Sequence, residues 1–173
     1  LPVIESSSEK RMSRELLIMR HAESGWSGVS SDFERTLTER GGNDALRMGE
    51  WMRGEGLHPD YILASPAQRA KETVRAVCGA LEIDEQQIHW EPRIYEAEVE
   101  MLLQLLQQLP QEASRILMVG HNPGVAEIVQ LLTGSYAHRI SPAIVVQLET
   151  PSADVVLDKG CASLQRLIAP SEL

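Results

Sequence analysis

From Glu15 onward, short apolar runs alternate with amphipathic segments. Leu16-Leu17-Ile18-Met19, Tyr61-Ile62-Leu63-Ala64 and Ile116-Leu117-Met118-Val119 are continuous apolar tetrads, the pattern of strands covered on both faces. Ile88-His89-Trp90 fits a short further strand. Ala143 to Leu148 and Asp154 to Leu157 read as closing strands, joined antiparallel by a turn around Pro151-Ser152. Between these runs, Ala45, Met48, Gly49 and Met52 share one face of a helix predicted from about Thr38 to Arg53, stopped by Gly54 and Gly56. Ser65-Pro66 predicts a capping residue and first helical residue for a helix to about Leu81. Met101 to Leu106 forms a helix ending before Pro110, and Asn122-Pro123 opens another through Leu132, terminated by Gly134. Strands alternating with helices predict an α/β protein: three layers, α/β/α, around a central, mostly parallel sheet.

Ahead of this pattern, residues 1–14 are polar and aperiodic, with a Ser6-Ser7-Ser8 run and Met12 close to the first strand. They read as a flexible N-terminal tail, residues 1–11 being candidates for an extension of the native start; residues 15–173 are expected to form a single domain. No repeat or linker interrupts them.

Composition narrows the function classes. The chain has 173 residues, 43% hydrophobic, and no apolar run near the roughly 20 residues that cross a bilayer, so no membrane association is expected. With 16 basic and 25 acidic residues the net charge is −9, a field that repels polyanions, so nucleic acid is excluded as an expected partner. Cys78 and Cys161 lack metal-ligand or disulfide-framework spacing, and no signal-peptide pattern is present, so the expected setting is cytoplasmic.

Three strands run into chemically pointed residues: Met19 into Arg20-His21, Ala64 into Ser65-Pro66-Ala67-Gln68-Arg69, and Val119-Gly120 into His121-Asn122-Pro123. Parallel strands put all three endings on the carboxyl edge of the sheet, where open α/β sheets bind ligands. Two arginines, two histidines and two helix N-termini form an anion pocket suited to phosphate. Two permanent positive charges disfavour a divalent cation, so neither a metal nor a cofactor is expected. No G-x-x-x-x-G-K-[ST] run exists, and Gly120-His121-Asn122-Pro123-Gly124 carries His where a nucleophile elbow has Ser, which leaves a nucleophilic His. His58, His89 and His138 lack such partners and read as bystanders; Trp26, Trp51 and Trp90 read as packing.

These residues resemble the histidine phosphatase superfamily, with its phosphoglycerate mutase-like fold. The resemblance is carried by Arg20-His21, by Ser65-Pro66-Ala67-Gln68-Arg69-Ala70-Lys71-Glu72-Thr73, by Gly120-His121-Asn122-Pro123, and by the Leu37-Thr38-Glu39-Arg40-Gly41 helix entry. It covers most of Glu15 to Leu148. Ala22, where many members have Gly, resembles the small SixA-like phosphohistidine phosphatases. The stretch between Arg69 and His121 suffices for a strand, a helix and a strand but not for a lid domain, which implies an open site.

The resemblance implies that His21 is the nucleophile that takes up the phosphoryl group, while Arg20, Arg69 and a protonated His121 hold its oxygens. Glu96 is the positional match for the family's general acid, with Glu98 and Glu100 nearby; the alternative is that these acids only complement the dipole of the following helix. The implied activity is a metal-independent phosphatase acting on phosphohistidine in a protein partner. The same pocket also suits a phosphatase of small phosphate esters, and a third reading is a non-catalytic phosphate-binding regulatory module.

Overall fold

A computed structural model describes residues 13–135 and 139–173. The strands are β1 (Glu15–Arg20), β2 (Tyr61–Ala64), β3 (Ile88–Trp90), β4 (Arg115–Gly120), β5 (Val145–Glu149) and β6 (Ser163–Ile168). The helices are α1 (Glu39–Gly54), α2 (Gln68–Leu81), α3 (Val99–Gln107) and α4 (Gly124–Thr133). The strands form one sheet in the order β3-β2-β4-β1-β5-β6. β3, β2, β4 and β1 are mutually parallel, and β5 and β6 are antiparallel additions on the β1 side.

Alternation within the apolar tetrads assigns each side chain to a layer. Leu16 and Ile18 of β1, with Ile116 and Met118 of β4, pack on Leu102 and Leu106 of α3 and on Ile128 and Val129 of α4. Their neighbours Leu17, Met19, Leu117 and Val119 face the opposite way, onto Met48 and Met52 of α1 and Val74 and Val77 of α2. Both faces are covered, as the tetrads require, and the predicted three-layer α/β/α architecture is the one observed.

α1 begins where predicted: Thr38 is its cap, its Oγ1 accepting from the Gly41 N–H at 3.0 Å. Gly49 lets α1 approach α2, since a Cβ there would sit 2.8 Å from the Ala80 methyl.

Three expectations are corrected. α2 starts at Gln68, with Ala67 in the cap position, because the Ser65 hydroxyl accepts from Ala67 N–H at 3.2 Å, closing a local turn. Likewise α4 starts at Gly124, although Asn122 Oδ1 still reaches the Ala126 N–H at 3.3 Å. Asp154 to Leu157 is a loop held by Thr150 Oγ1 donating to Ser152 O and by Gln107 Nε2 donating to Leu157 O. Its place in the sheet is taken by β6, an edge strand whose exposed polar half masks the apolar signal.

At the start, Ser13 and Arg14 are attached to the body: Arg14 is buried, donating from its side chain to Pro110 O and from its backbone to Thr150 Oγ1. The rest of the expected tail, and His138, lie outside the described residues. Trp51 and Trp90 pack against the α1–α2 layer, whereas Trp26 is 55% exposed beneath the Arg35 guanidinium rather than packed. His89 stacks on Tyr61, and Cys78 and Cys161 are free thiols.

Candidate active site

The register of the parallel strands builds the site. Arg20 pairs with Gly120, and Ala64 with Val119, so Arg20-His21, Ser65 and His121 leave neighbouring strands at one edge. The ladder continues a step past the strands: His21 N–H donates to Gly120 O at 3.0 Å and Ser65 N–H to Val119 O at 3.1 Å. Arg69, in the first turn of α2, completes the group. All four predicted residues, Arg20, His21, Arg69 and His121, line one cleft of about 810 Å³.

His21 is buried, and its Nδ1 lies 2.7 Å from Ala22 O. A carbonyl only accepts, so Nδ1 carries the proton and Nε2 keeps its lone pair. That lone pair accepts from Arg69 Nε at 3.3 Å. Burial lowers the His21 pKa to about 4; the Ala22 carbonyl opposes this, while Arg69, Arg20 and Arg35 reinforce it. His121 is lowered to about 3 by burial, with His21 and Arg69 adding to the effect. Burial and the surrounding arginines thus favour the neutral form of both imidazoles at neutral pH. The two rings are tilted, with centroids 5.1 Å apart.

Arg69 is held by a residue that periodicity did not single out. Asp32, in a 3-10 turn (Asp32–Glu34), accepts from Arg69 twice, through its backbone carbonyl at 2.7 Å and its carboxylate at 3.1 Å. The same carboxylate accepts from Tyr95 Oη at 2.6 Å and from Arg35 at 3.1 Å. The Tyr95 hydroxyl, ahead of the arginines, holds the Asp32 pKa down to about 2, and Asp32 pushes Tyr95 up to about 12. Thr73 is a second such residue: its buried hydroxyl accepts from Ala22 N–H at 3.0 Å and donates to Arg69 O at 2.7 Å, tying the His21 loop to α2. Ser65, read from sequence as a helix cap, instead meets His121 Nε2 at 2.7 Å. A third arginine, Arg35, lines the cleft as well.

Glu96 lines the cleft, exposed and at φ 55°, as do Glu98, Glu100 and, from α4, Glu127. Among the described residues none of these four carboxylates has a hydrogen-bonded or ion-paired side-chain partner. The cleft is therefore lined by both signs of charge: Arg20, Arg35 and Arg69, with Asp32 bonded among them, and the carboxylates of Glu96, Glu98, Glu100 and Glu127. No group of His, Cys, Asp and Glu among the described residues is arranged to hold a metal ion, and no helix among them is long and apolar enough to cross a membrane.

Comparison with known proteins agrees with this architecture. The solved structure of the protein histidine phosphatase SixA complexed with tungstate superimposes with a TM-score of 0.80 at 22% identity, covering 91% of this chain and 98% of that one. An uncharacterized chloroplastic protein of Arabidopsis thaliana is 29% identical over 139 residues, 75% of this chain and 64% of that protein, so the match spans under two thirds of the relative. Phosphohistidine phosphatase SixA of Escherichia coli is 27% identical over 116 residues, 66% of this chain and 71% of the relative. The model of the histidine phosphatase superfamily, branch 1, matches residues 16–117. With more than half its length matched, with the same fold and with both motif histidines in one cleft, the chain belongs to the histidine phosphatase superfamily.

Proposed function

We propose that this protein is a phosphatase working through a phosphohistidine at His21, and that its substrate is phosphohistidine in a protein, as in SixA. The observation that carries the reading is the orientation of His21, whose proton is committed to Ala22 O while the bare Nε2 faces Arg69. A neutral imidazole held this way is a nucleophile without needing a base. Its Nε2 attacks phosphorus, the bond to the departing imidazole nitrogen breaks, and that nitrogen takes a proton from solvent water. Water then cleaves the phosphohistidine. Arg20, Arg69 and His121 hold the phosphoryl oxygens, and the guanidinium groups neutralise charge that a metal ion would otherwise neutralise. The SixA structure is complexed with tungstate, a tetrahedral oxyanion, which supports reading the arginine-lined cleft as an oxyanion site.

The cleft, about 810 Å³, far exceeds one phosphate and leaves room for a leaving group beyond the phosphoryl seat. An imidazole departs more readily than an alkoxide, so the reaction runs without a committed acid. Glu96 in the cleft lining favours the second reading, a phosphatase of small esters that uses it as general acid. Free thiols at Cys78 and Cys161 accord with a reducing, cytoplasmic setting.

The test is chemical trapping. Brief reaction with labelled phosphohistidine peptide should leave acid-labile, base-stable label on the wild type and none on His21→Ala, with hydrolysis lost in that variant. Equal labelling of His21→Ala overturns the nucleophile. Preference for sugar or aryl phosphates over the peptide, lost in Glu96→Gln, replaces the substrate assignment with the second reading. Stoichiometric phosphate binding without turnover of any of these would leave a regulatory module.

A further inference from the structure

We propose that Ser65 is a positioning residue that fixes the tautomer of His121, so that His121 meets phosphate as an N–H donor while His21 meets it as a lone pair. The inference rests on the assignment of His121 as a phosphate ligand. Ser65 is fully buried, and its backbone is pinned to Val119 O across the β2–β4 ladder. Its Oγ accepts from Ala67 N–H at 3.2 Å and lies 2.7 Å from His121 Nε2. His121 Nδ1 is enclosed and has no partner among the described residues.

Counting donors and acceptors separates the two arrangements. If Nε2–H donates to Ser65, the hydroxyl proton has no acceptor and Nδ1 is an unsatisfied lone pair. Both groups are buried, and that lone pair would repel an anion. If Ser65 Oγ–H donates to Nε2, hydroxyl and Nε2 are both satisfied and the single orphan is Nδ1–H. A phosphate oxygen is an acceptor and completes it. Each orphaned buried group is costly, so the arrangement with one fewer prevails and is also the one an oxyanion completes.

His21 is in the same tautomer, its Nδ1 proton fixed by the Ala22 carbonyl. The two histidines thus share a protonation pattern but are mounted in opposite senses: His21 presents Nε2 as attacking lone pair, His121 presents Nδ1–H as donor. Ser65 and the Ala22 carbonyl decide which ring attacks and which one binds.

Two measurements test this. Imidazole 15N chemical shifts of the wild type should show His121 Nδ1 protonated and Nε2 as a hydrogen-bond acceptor; a protonated Nε2 overturns the proposal, and this holds even if Ser65→Ala does not fold. In Ser65→Ala, inhibition by inorganic phosphate should weaken about tenfold, the worth of one well-aligned bond to an anion. Ser65→Thr, which keeps the hydroxyl, should stay within about threefold of wild type by the same reckoning. Unchanged phosphate affinity in a folded Ser65→Ala overturns the assignment. Should the wild type ignore phosphohistidine peptide, the substrate reading fails, while the 15N shifts and phosphate inhibition still decide the role of Ser65.

Discussion

Replacing Asp32 with Asn isolates the support of Arg69 from Arg69 itself. The side-chain shape is retained, but one amide oxygen must now serve three donors: Arg69, Arg35 and the Tyr95 hydroxyl. Some contacts survive, because Arg69 still reaches the Asp32 carbonyl at 2.7 Å and Arg35 still reaches Ser24 Oγ at 2.9 Å. Hydrogen bonds to charged groups contribute about 1.5–3 kcal/mol each, and a carboxylate whose side chain is 40% exposed belongs at the low end. A loss of about 1.5 kcal/mol from the transition state is roughly tenfold in kcat. Removing a negative charge beside the arginines has the opposite effect on ground-state anions. Inorganic phosphate should therefore inhibit the variant at least as well as wild type. Steady-state hydrolysis of phosphohistidine peptide with phosphate as competitor measures both quantities. An unchanged kcat in a folded Asp32→Asn variant would refute the idea that Asp32 orients Arg69.

Three further outcomes follow from the geometry. Because His21 and His121 titrate near 4 and 3 when folded against 6.5 when unfolded, the unfolded chain binds more protons below pH 6.5. Unfolding free energy should fall as pH drops from 6.5 towards 4 in urea titrations, and a flat profile in that window contradicts the buried neutral pair. Gly41→Ala would place a Cβ 2.1 Å from Glu23 O, pushing the loop after His21 off α1; overpacking of about 2 kcal/mol lowers Tm by roughly 4–8 °C. Wild-type Tm in that variant refutes the contact. The cleft carboxylates Glu98, Glu100 and Glu127 should give phosphohistidine peptides flanked by Lys a higher kcat/KM than those flanked by Glu, a preference that shrinks with added salt. Equal rates at low ionic strength would show that these carboxylates do not face the substrate.

Much of this was legible along the chain for a specific reason. A strand covered on both faces must be apolar throughout, so β1, β2 and β4 announce themselves, and the residues following them mark the carboxyl edge. Arg20, His21, Arg69 and His121 were found in that way, and one cleft holds all four. Asp32 was not found, because it stands in the polar run Ser30-Ser31-Asp32, where neither periodicity nor spacing distinguishes a carboxylate that orients an arginine from one facing water. Ser65 was noticed for the wrong role: Ser before Pro signals a cap, and its true partner, His121, is 56 residues away in sequence. β6 was missed because an edge strand half open to water carries polar side chains, whereas the apolar Val155-Val156-Leu157 run competes for the same assignment.

The backbone bonds that extend the ladder beneath the cleft bear on how the molecule breathes. His21 N–H and Ser65 N–H are tied to β4, an interior strand in the parallel part of the sheet, not to a peripheral loop. Deuterium can reach those two amides only when the central strands part, so their exchange should be as slow as that of the innermost strand amides and should report global opening. Wear of the surrounding surface loops by heat or protease would then leave the His21 imidazole in register until the molecule as a whole gives way.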